Sequence, residues 1–161
     1  MPTVRQRYEK FLRTEIVPAL RNLGLRGGPT AFVLPDERSW ALIGFDRSWK
    51  DARQGKARFT VNLTHVTKEA WEDNRSRLSW LPIRPTASSS AGFHWVEVIR
   101  LGQLLPEGGD RWWSLDGPQP DATIALEVVG AITDLGIPWL RSQIGAELTS
   151  GALRKVPGVD R

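Results

Sequence analysis

The run Ala57-Arg58-Phe59-Thr60-Val61-Asn62-Leu63-Thr64-His65-Val66 changes character at every residue. Phe59, Val61, Leu63 and His65 point one way from an extended backbone, and Arg58, Thr60, Asn62 and Thr64 point the other. A helical turn of about 3.6 residues would scatter both sets around an axis, so the segment is a strand with one apolar face. Such a strand belongs in an antiparallel sheet, and the pattern predicts a core on one side of that sheet and water on the other.

The flanking segments complete the sheet. Thr30 to Leu34 is a short apolar run closed by the turn pair Pro35-Asp36. Ser39 to Trp49 places Ala41, Ile43, Phe45 and Arg47 on one face, with Trp40, Leu42, Gly44 and Asp46 on the other, so both faces of this strand are expected to be partly covered. A further strand is predicted from about Phe93 to Leu104, and the short segment Arg111 to Leu115 follows a Gly-rich turn. Within that last segment Trp112 and Trp113 are adjacent, so in a strand one ring faces the core and the other the opposite side.

Helices bracket the strands. Val4, Tyr8, Phe11, Leu12, Ala19, Leu20 and Leu23 recur at three- and four-residue spacing, with Thr3 as N-cap, a kink or restart at Pro18 and a stop at Gly24. Thr67 to Leu78 is a charged helix carrying Trp71. A closing helix begins at Asp121, read as its cap, buries Ile124, Val128, Ile132 and Leu135, and ends at Gly136. Pro138 then opens a short helix from Trp139 to Ile144. Helix, consecutive strands, then helices is the segregated order of an α+β fold: an N-terminal helix, an antiparallel meander sheet, and C-terminal helices packed on one face. The 161 residues are expected to form a single domain, 1–161, with an ordered core at about 4–146, a mobile loop at 86–92 and a frayed tail at 151–161.

Composition narrows the chemistry. With no cysteine, disulfides, thiol catalysis and thiolate metal sites are excluded, and two histidines, His65 and His94, are too few for a His-rich metal site. No metal and no cofactor is expected. The first residues lack an apolar signal core, and no apolar stretch approaches the roughly 20 residues that span a bilayer, so no membrane partner and a cytoplasmic location are expected. The isoelectric point near 10 reflects the scarcity of groups titrating above neutrality more than a large charge excess, since the net charge is only +4. All of that excess lies in residues 1–28, which hold six basic and two acidic side chains. Electrostatic steering therefore belongs to the first helix.

Several phrases resemble a known family. They are Leu20-Arg21-Asn22-Leu23-Gly24-Leu25, Gly44-Phe45-Asp46-Arg47-Ser48-Trp49, Phe59-Thr60-Val61-Asn62-Leu63, Arg100-Leu101-Gly102-Gln103-Leu104-Leu105-Pro106, the Asp110 to Leu115 run, and Leu135-Gly136-Ile137-Pro138-Trp139-Leu140. Their order and spacing, from about Val4 to Gln143, resemble the bacterial domain of unknown function 4304 family. The chain departs from that pattern at Asp46-Arg47, where the family often carries a glutamine before the serine, and at Thr64, where it usually has glycine. The resemblance implies a compact helix-sheet-helix domain with no established activity.

Three functions are weighed. A protein-interaction or accessory module of immunity type draws on the residue types favoured at binding hot spots, with Arg47, Trp49, Arg100, Trp112 and Trp113 as its candidate surface. The immunity-type reading rests on analogy with small bacterial domains that lack a catalytic set. Such a module would be a monomer or weak dimer with a protein partner. The alternative is nucleic-acid binding through the basic first helix, with Arg7, Lys10, Arg21 and Arg26 on phosphates, although a solvated helix face carries the same charges. A hydrolase comes third: neither histidine lies in a nucleophile motif, and only a structure joining His65 to a serine and a carboxylate in a pocket would support it.

Overall fold

The computed structural model describes the backbone of residues 1–87 and 93–154, and the side chains of those up to residue 146. The mobile loop expected at 86–92 therefore falls largely outside the described residues, and so does the tail from 155 onward. Chain order runs α1 (Val4–Phe11), a π-turn (Leu12–Ile16), α2 (Val17–Asn22), β1 (Arg26–Gly27), β2 (Ala31–Leu34), β3 (Ser39–Arg47) and α3 (Trp49–Arg53). Then come β4 (Arg58–Thr67), α4 (Lys68–Arg77), β5 (Glu97–Arg100), a 3-10 turn (Leu101–Leu104), β6 (Trp113–Ser114), α5 (Asp121–Ala131), a second π-turn (Ile132–Gly136) and α6 (Ile137–Arg154). The architecture is α+β, as the order of patterns predicts.

The sheet is an antiparallel meander, β1-β2-β3-β4-β5, and the short β6 pairs with β4 beside β5. Strand β4 is its spine. From Phe59 to Thr67 it pairs with β3, from Arg47↔Phe59 to Ser39↔Thr67, while its other edge carries β5 at Asn62–His65 and β6 at Arg58–Phe59. One face is covered by the terminal helices: Tyr8, Phe11, Leu12, Ile16 and Leu20 from the N-terminal side meet Ile124, Val128, Ile132 and Leu140 over Phe45, Phe59, Val61 and Leu63.

The opposite face is not wet, contrary to the alternation rule. A second cluster of Val66, Trp71, Leu81 and Val96, joined by Trp40, Phe93 and Trp95, covers part of it, and Thr60, Asn62 and Thr64 are buried. Polar side chains survive there because returning chain satisfies them. Thr60 donates to the Arg111 carbonyl at 2.7 Å, Thr64 to the Ala87 carbonyl at 3.3 Å, and the Asn62 amide to Asp46. A Cβ on Gly44 would lie 2.4 Å from that of Ala87, so a glycine in β3 lets this return pass.

Pro18 lies in the first turn of α2, the restart that the sequence predicts, and Pro138 holds the same place in α6; each follows a widened turn. Val17 and Ile137 donate to carbonyls five residues back, Leu12 and Ile132, and Pro18 and Pro138 follow immediately. A proline inside a regular α-helix lacks the amide hydrogen and crowds the carbonyl four residues earlier; one widened turn relieves that crowding without ending the helix. Gly136 is thus an interior position packed near Leu63 and Leu101, and α6 runs on to Arg154. The extra residue also shifts phase, so Ile16 joins the buried stripe and Leu135 is only half-buried. Pro120, not Asp121, is the N-cap of α5, and the Asp121 carboxylate instead lies 3.8 Å from Arg7. The uninterrupted helical run Asp121–Ala146 is long and apolar enough to cross a membrane by length and composition, contrary to the expectation that no apolar stretch approaches that length. Its apolar line is nonetheless committed to the sheet, and 39 % of the run's apolar window is buried in the domain.

Phe59 is the hub of the core. Its ring lies 5.4 Å from Phe11, 5.9 Å from Tyr8, 6.1 Å from Phe45 and 5.9 Å from Trp113, joining α1, β3 and β6 to β4. Phe59→Ala is expected to cost about 3–5 kcal/mol, measured by urea unfolding, because four rings lose a common neighbour. A cost below about 1 kcal/mol would remove Phe59 from that role.

Candidate functional site

Four of the five candidate surface residues meet in one cleft. Arg47 ends β3, Trp49 opens α3, Arg100 ends β5 and Trp112 precedes β6, and all four line a depression of about 660 Å³ with Arg5, Tyr8 and Glu9 of α1. The fifth, Trp113, points inward as strand geometry requires: it is 3 % exposed and stacks on Phe59. Adjacent rings are therefore divided between cleft and core.

Each wall is fixed by local chemistry. The Asp110 carboxylate accepts the Trp112 indole N–H at 2.9 Å and lies 3.6 Å from the Arg100 guanidinium, which stands 5.2 Å from the centre of the same ring. Trp112 is thus held as a preset platform beside a cation. On the opposite wall Ser48 caps α3 by accepting the Asp51 amide at 3.2 Å, and its hydroxyl donates to the Asp51 carboxylate at 2.6 Å. That hydrogen bond, with Arg58 3.1 Å away, holds the Asp51 carboxyl below the usual carboxylate range. Trp49, the residue so positioned, is 77 % exposed. Along α1 the Arg5 side chain donates to Glu9 at 2.8 Å, which keeps the Glu9 carboxyl low.

Other polar groups in the cleft have no such partner. Arg47 and Lys50 make no hydrogen bond or ion pair among the described residues. Tyr8 is only 4 % exposed, yet its hydroxyl is without a hydrogen bond. Burial, with Asp46 nearby, pushes its phenol far above the ordinary value, so it is a neutral O–H donor at any physiological pH. Tyr8 entered the sequence reading only as a core position of the first helix. The available signal was chemical: a tyrosine on a buried stripe brings a hydroxyl that needs a partner.

The candidate phosphate contacts do not gather. Arg7 donates to the Leu115 carbonyl and approaches Asp116 and Asp121 at 3.8 Å each, so it ties α1 to the segment leading into α5. Arg21 donates to the Gly27 carbonyl at 3.1 Å, Lys10 is exposed on α1, and Arg26 borders a separate hollow of about 310 Å³ with Trp40, Lys68 and Arg84. Ser39 borders that hollow too, and its hydroxyl lies 3.0 Å from His65 Nε2. Both residues are 2 % exposed, and Asp36 uses one carboxylate oxygen to accept the amides of Arg38 and Ser39 at 2.9 and 2.8 Å. A nucleophile requires an approach for a carbonyl carbon, which this buried pair does not offer. Among the described residues no group of three or more His, Asp and Glu side chains is placed to hold a metal ion.

An antiparallel sheet with terminal helices on one face and an open aromatic and cationic cleft where β3 and β5 end defines a small α+β domain. The chain belongs to the family named domain of unknown function 4304, whose sequence model matches residues 16–142. Arg47, Trp49, Arg100 and Trp112 lie inside the matched stretch, and Tyr8 lies before it. Neither a curated protein nor a solved structure matches the chain.

Two consequences are measurable. Tyr8→Phe removes a buried hydroxyl that makes no bond, so it is expected to raise stability by about 1 kcal/mol in urea unfolding; a loss of that size would mean the hydroxyl is bonded. Because the Asp51 pKa is lowered on folding, its stabilisation of α3 is complete above the unfolded carboxylate value of about 4 and fades as pH falls through the lower folded value. Urea unfolding followed by tryptophan fluorescence is expected to find Asp51→Asn less stable than the wild type at neutral pH, with the gap closing as pH falls below about 4. A gap that does not change with pH would contradict the assignment.

Proposed function

We propose that this domain is a non-catalytic protein-interaction module and that the Arg47–Trp49–Arg100–Trp112 cleft is its docking surface. The observation that carries the reading is convergence: residues from β3, α3, β5 and the entry to β6, far apart in sequence, share one open depression. Tryptophan and arginine supply large contact area and directional charge, the combination concentrated at the centres of protein interfaces. Trp112 is already oriented by Asp110 and Arg100, so little rotamer freedom is lost on docking. An accessory or immunity-type role is the biological form this reading takes.

Nucleic-acid binding through the first helix has less support. Two of its four candidate contacts, Arg7 and Arg21, are bonded to the domain's own carbonyls, and Arg26 lies at a different hollow from the aromatic cleft.

The test is comparative capture from a lysate of the organism that encodes the chain. The wild type is expected to retain a partner protein that Arg47→Glu and Trp49→Ala each lose, while both variants keep the wild-type melting temperature within about 2 °C, as substitutions outside the buried core do. Equal retention of every captured protein by the wild type and both folded variants would contradict the proposal.

A further inference from the structure

The unpaired groups of the cleft specify what its occupant brings. Tyr8 carries a hydroxyl that is enclosed and unbonded, at a wall shared with the free Arg47 guanidinium and with Asp46. A neutral phenol O–H and a guanidinium are both donors, and one oxyanion satisfies both at once. Lys50 adds a second unpaired positive charge, while Arg100 is partnered by Asp110 at 3.6 Å. Glu9, the nearest negative group on α1, is neutralised by Arg5. The rings of Trp49 and Trp112 offer apolar area between these charges.

Resting on the reading of the cleft as a docking surface, we infer that its occupant is an acidic segment of a partner protein, with one Asp or Glu carboxylate seated between the Tyr8 hydroxyl and Arg47 and a neighbouring apolar side chain against Trp49 and Trp112. Two features favour side-chain carboxylates over a lone chain terminus. The cations come from separate elements, Arg47 from β3, Lys50 from α3 and Arg100 from β5, and the depression is open, so several carboxylates on an extended segment match it better than one. The enclosed Tyr8 hydroxyl is the feature a solvated basic patch would lack, since an unbonded buried donor costs stability until an acceptor arrives.

The experiment titrates the purified domain with short synthetic peptides, read by tryptophan fluorescence. The probe alternates glutamate and phenylalanine and has both termini blocked. Its controls carry glutamine or lysine in place of glutamate, or glutamine with a free C-terminal carboxylate, and an oligothymidylate of similar length completes the set. The blocked glutamate peptide is expected to bind at least about tenfold more tightly than the glutamine peptide, and Tyr8→Phe and Arg47→Gln are each expected to lose about tenfold for it, the change that one charge-assisted hydrogen bond supplies. Thermal melts confirm that both variants are folded. Equal binding of the glutamine peptide, preference for the free C-terminus, or binding of the oligonucleotide in place of the peptide would each overturn the inference. If all acidic probes fail while lysate capture still depends on Arg47 and Trp49, the docking surface stands and its acidic specificity falls; if both fail, neither stands.

Discussion

Everything in this domain leans on the contact between the Phe59 ring and its four aromatic neighbours. Strand β4 is paired on both edges, and Phe59 lies near its start, where β3 and β6 flank it and α1 lies above. Tyr8 and Phe11 pack on the ring from the helix, Phe45 from β3 and Trp113 from β6. These are apolar contacts whose individual energies are small and whose sum is large, because no solvent can replace them in the interior. Fixing Trp113 inward turns Trp112 outward, and fixing Tyr8 presents its hydroxyl to the cleft. The core and the site are thus set by the same packing.

The cleft combines parts that are already satisfied with parts that are not. Trp112, Trp49 and Arg5 are placed by bonds internal to the domain, through Asp110, the Ser48 cap and Glu9. The Tyr8 hydroxyl and the Arg47 guanidinium are left with unused donors. A fold keeps an enclosed donor unbonded only at a cost of order 1–3 kcal/mol, which marks a place where stability yields to another requirement. The proposed docking of an acidic segment would supply that requirement.

Much of the architecture was legible in the chain because period-two patterns are local. The alternation of Phe59, Val61 and Leu63 against Thr60, Asn62 and Thr64 gave β4 and the direction of its core face, and strand geometry alone divided Trp112 from Trp113. What escaped depended on partners distant in sequence. Thr60, Asn62 and Thr64 read as a wet face, since no local rule reveals that the carbonyls of Arg111 and Ala87 return to cover it. Gly136 and Pro138 read as stop and start because helix grammar treats them so; the widened turn that carries the helix through them is set by packing on the sheet. The cleft shows the same division. Arg47, Trp49, Arg100 and Trp112 were visible as residue types, but their convergence exists only in the folded sheet, and the part played by Tyr8 only once α1 packs on Phe59.

The most direct test of the account is fluorine NMR of the domain labelled with 5-fluorotryptophan, its eight resonances assigned by single substitution, during titration with the blocked glutamate-phenylalanine peptide. The account predicts saturable shifts at Trp49 and Trp112, with Trp71 and the other rings outside the cleft unmoved. Shifts centred on Trp40 or Trp80 with Trp49 and Trp112 silent, or no saturable shift at any ring, would contradict it.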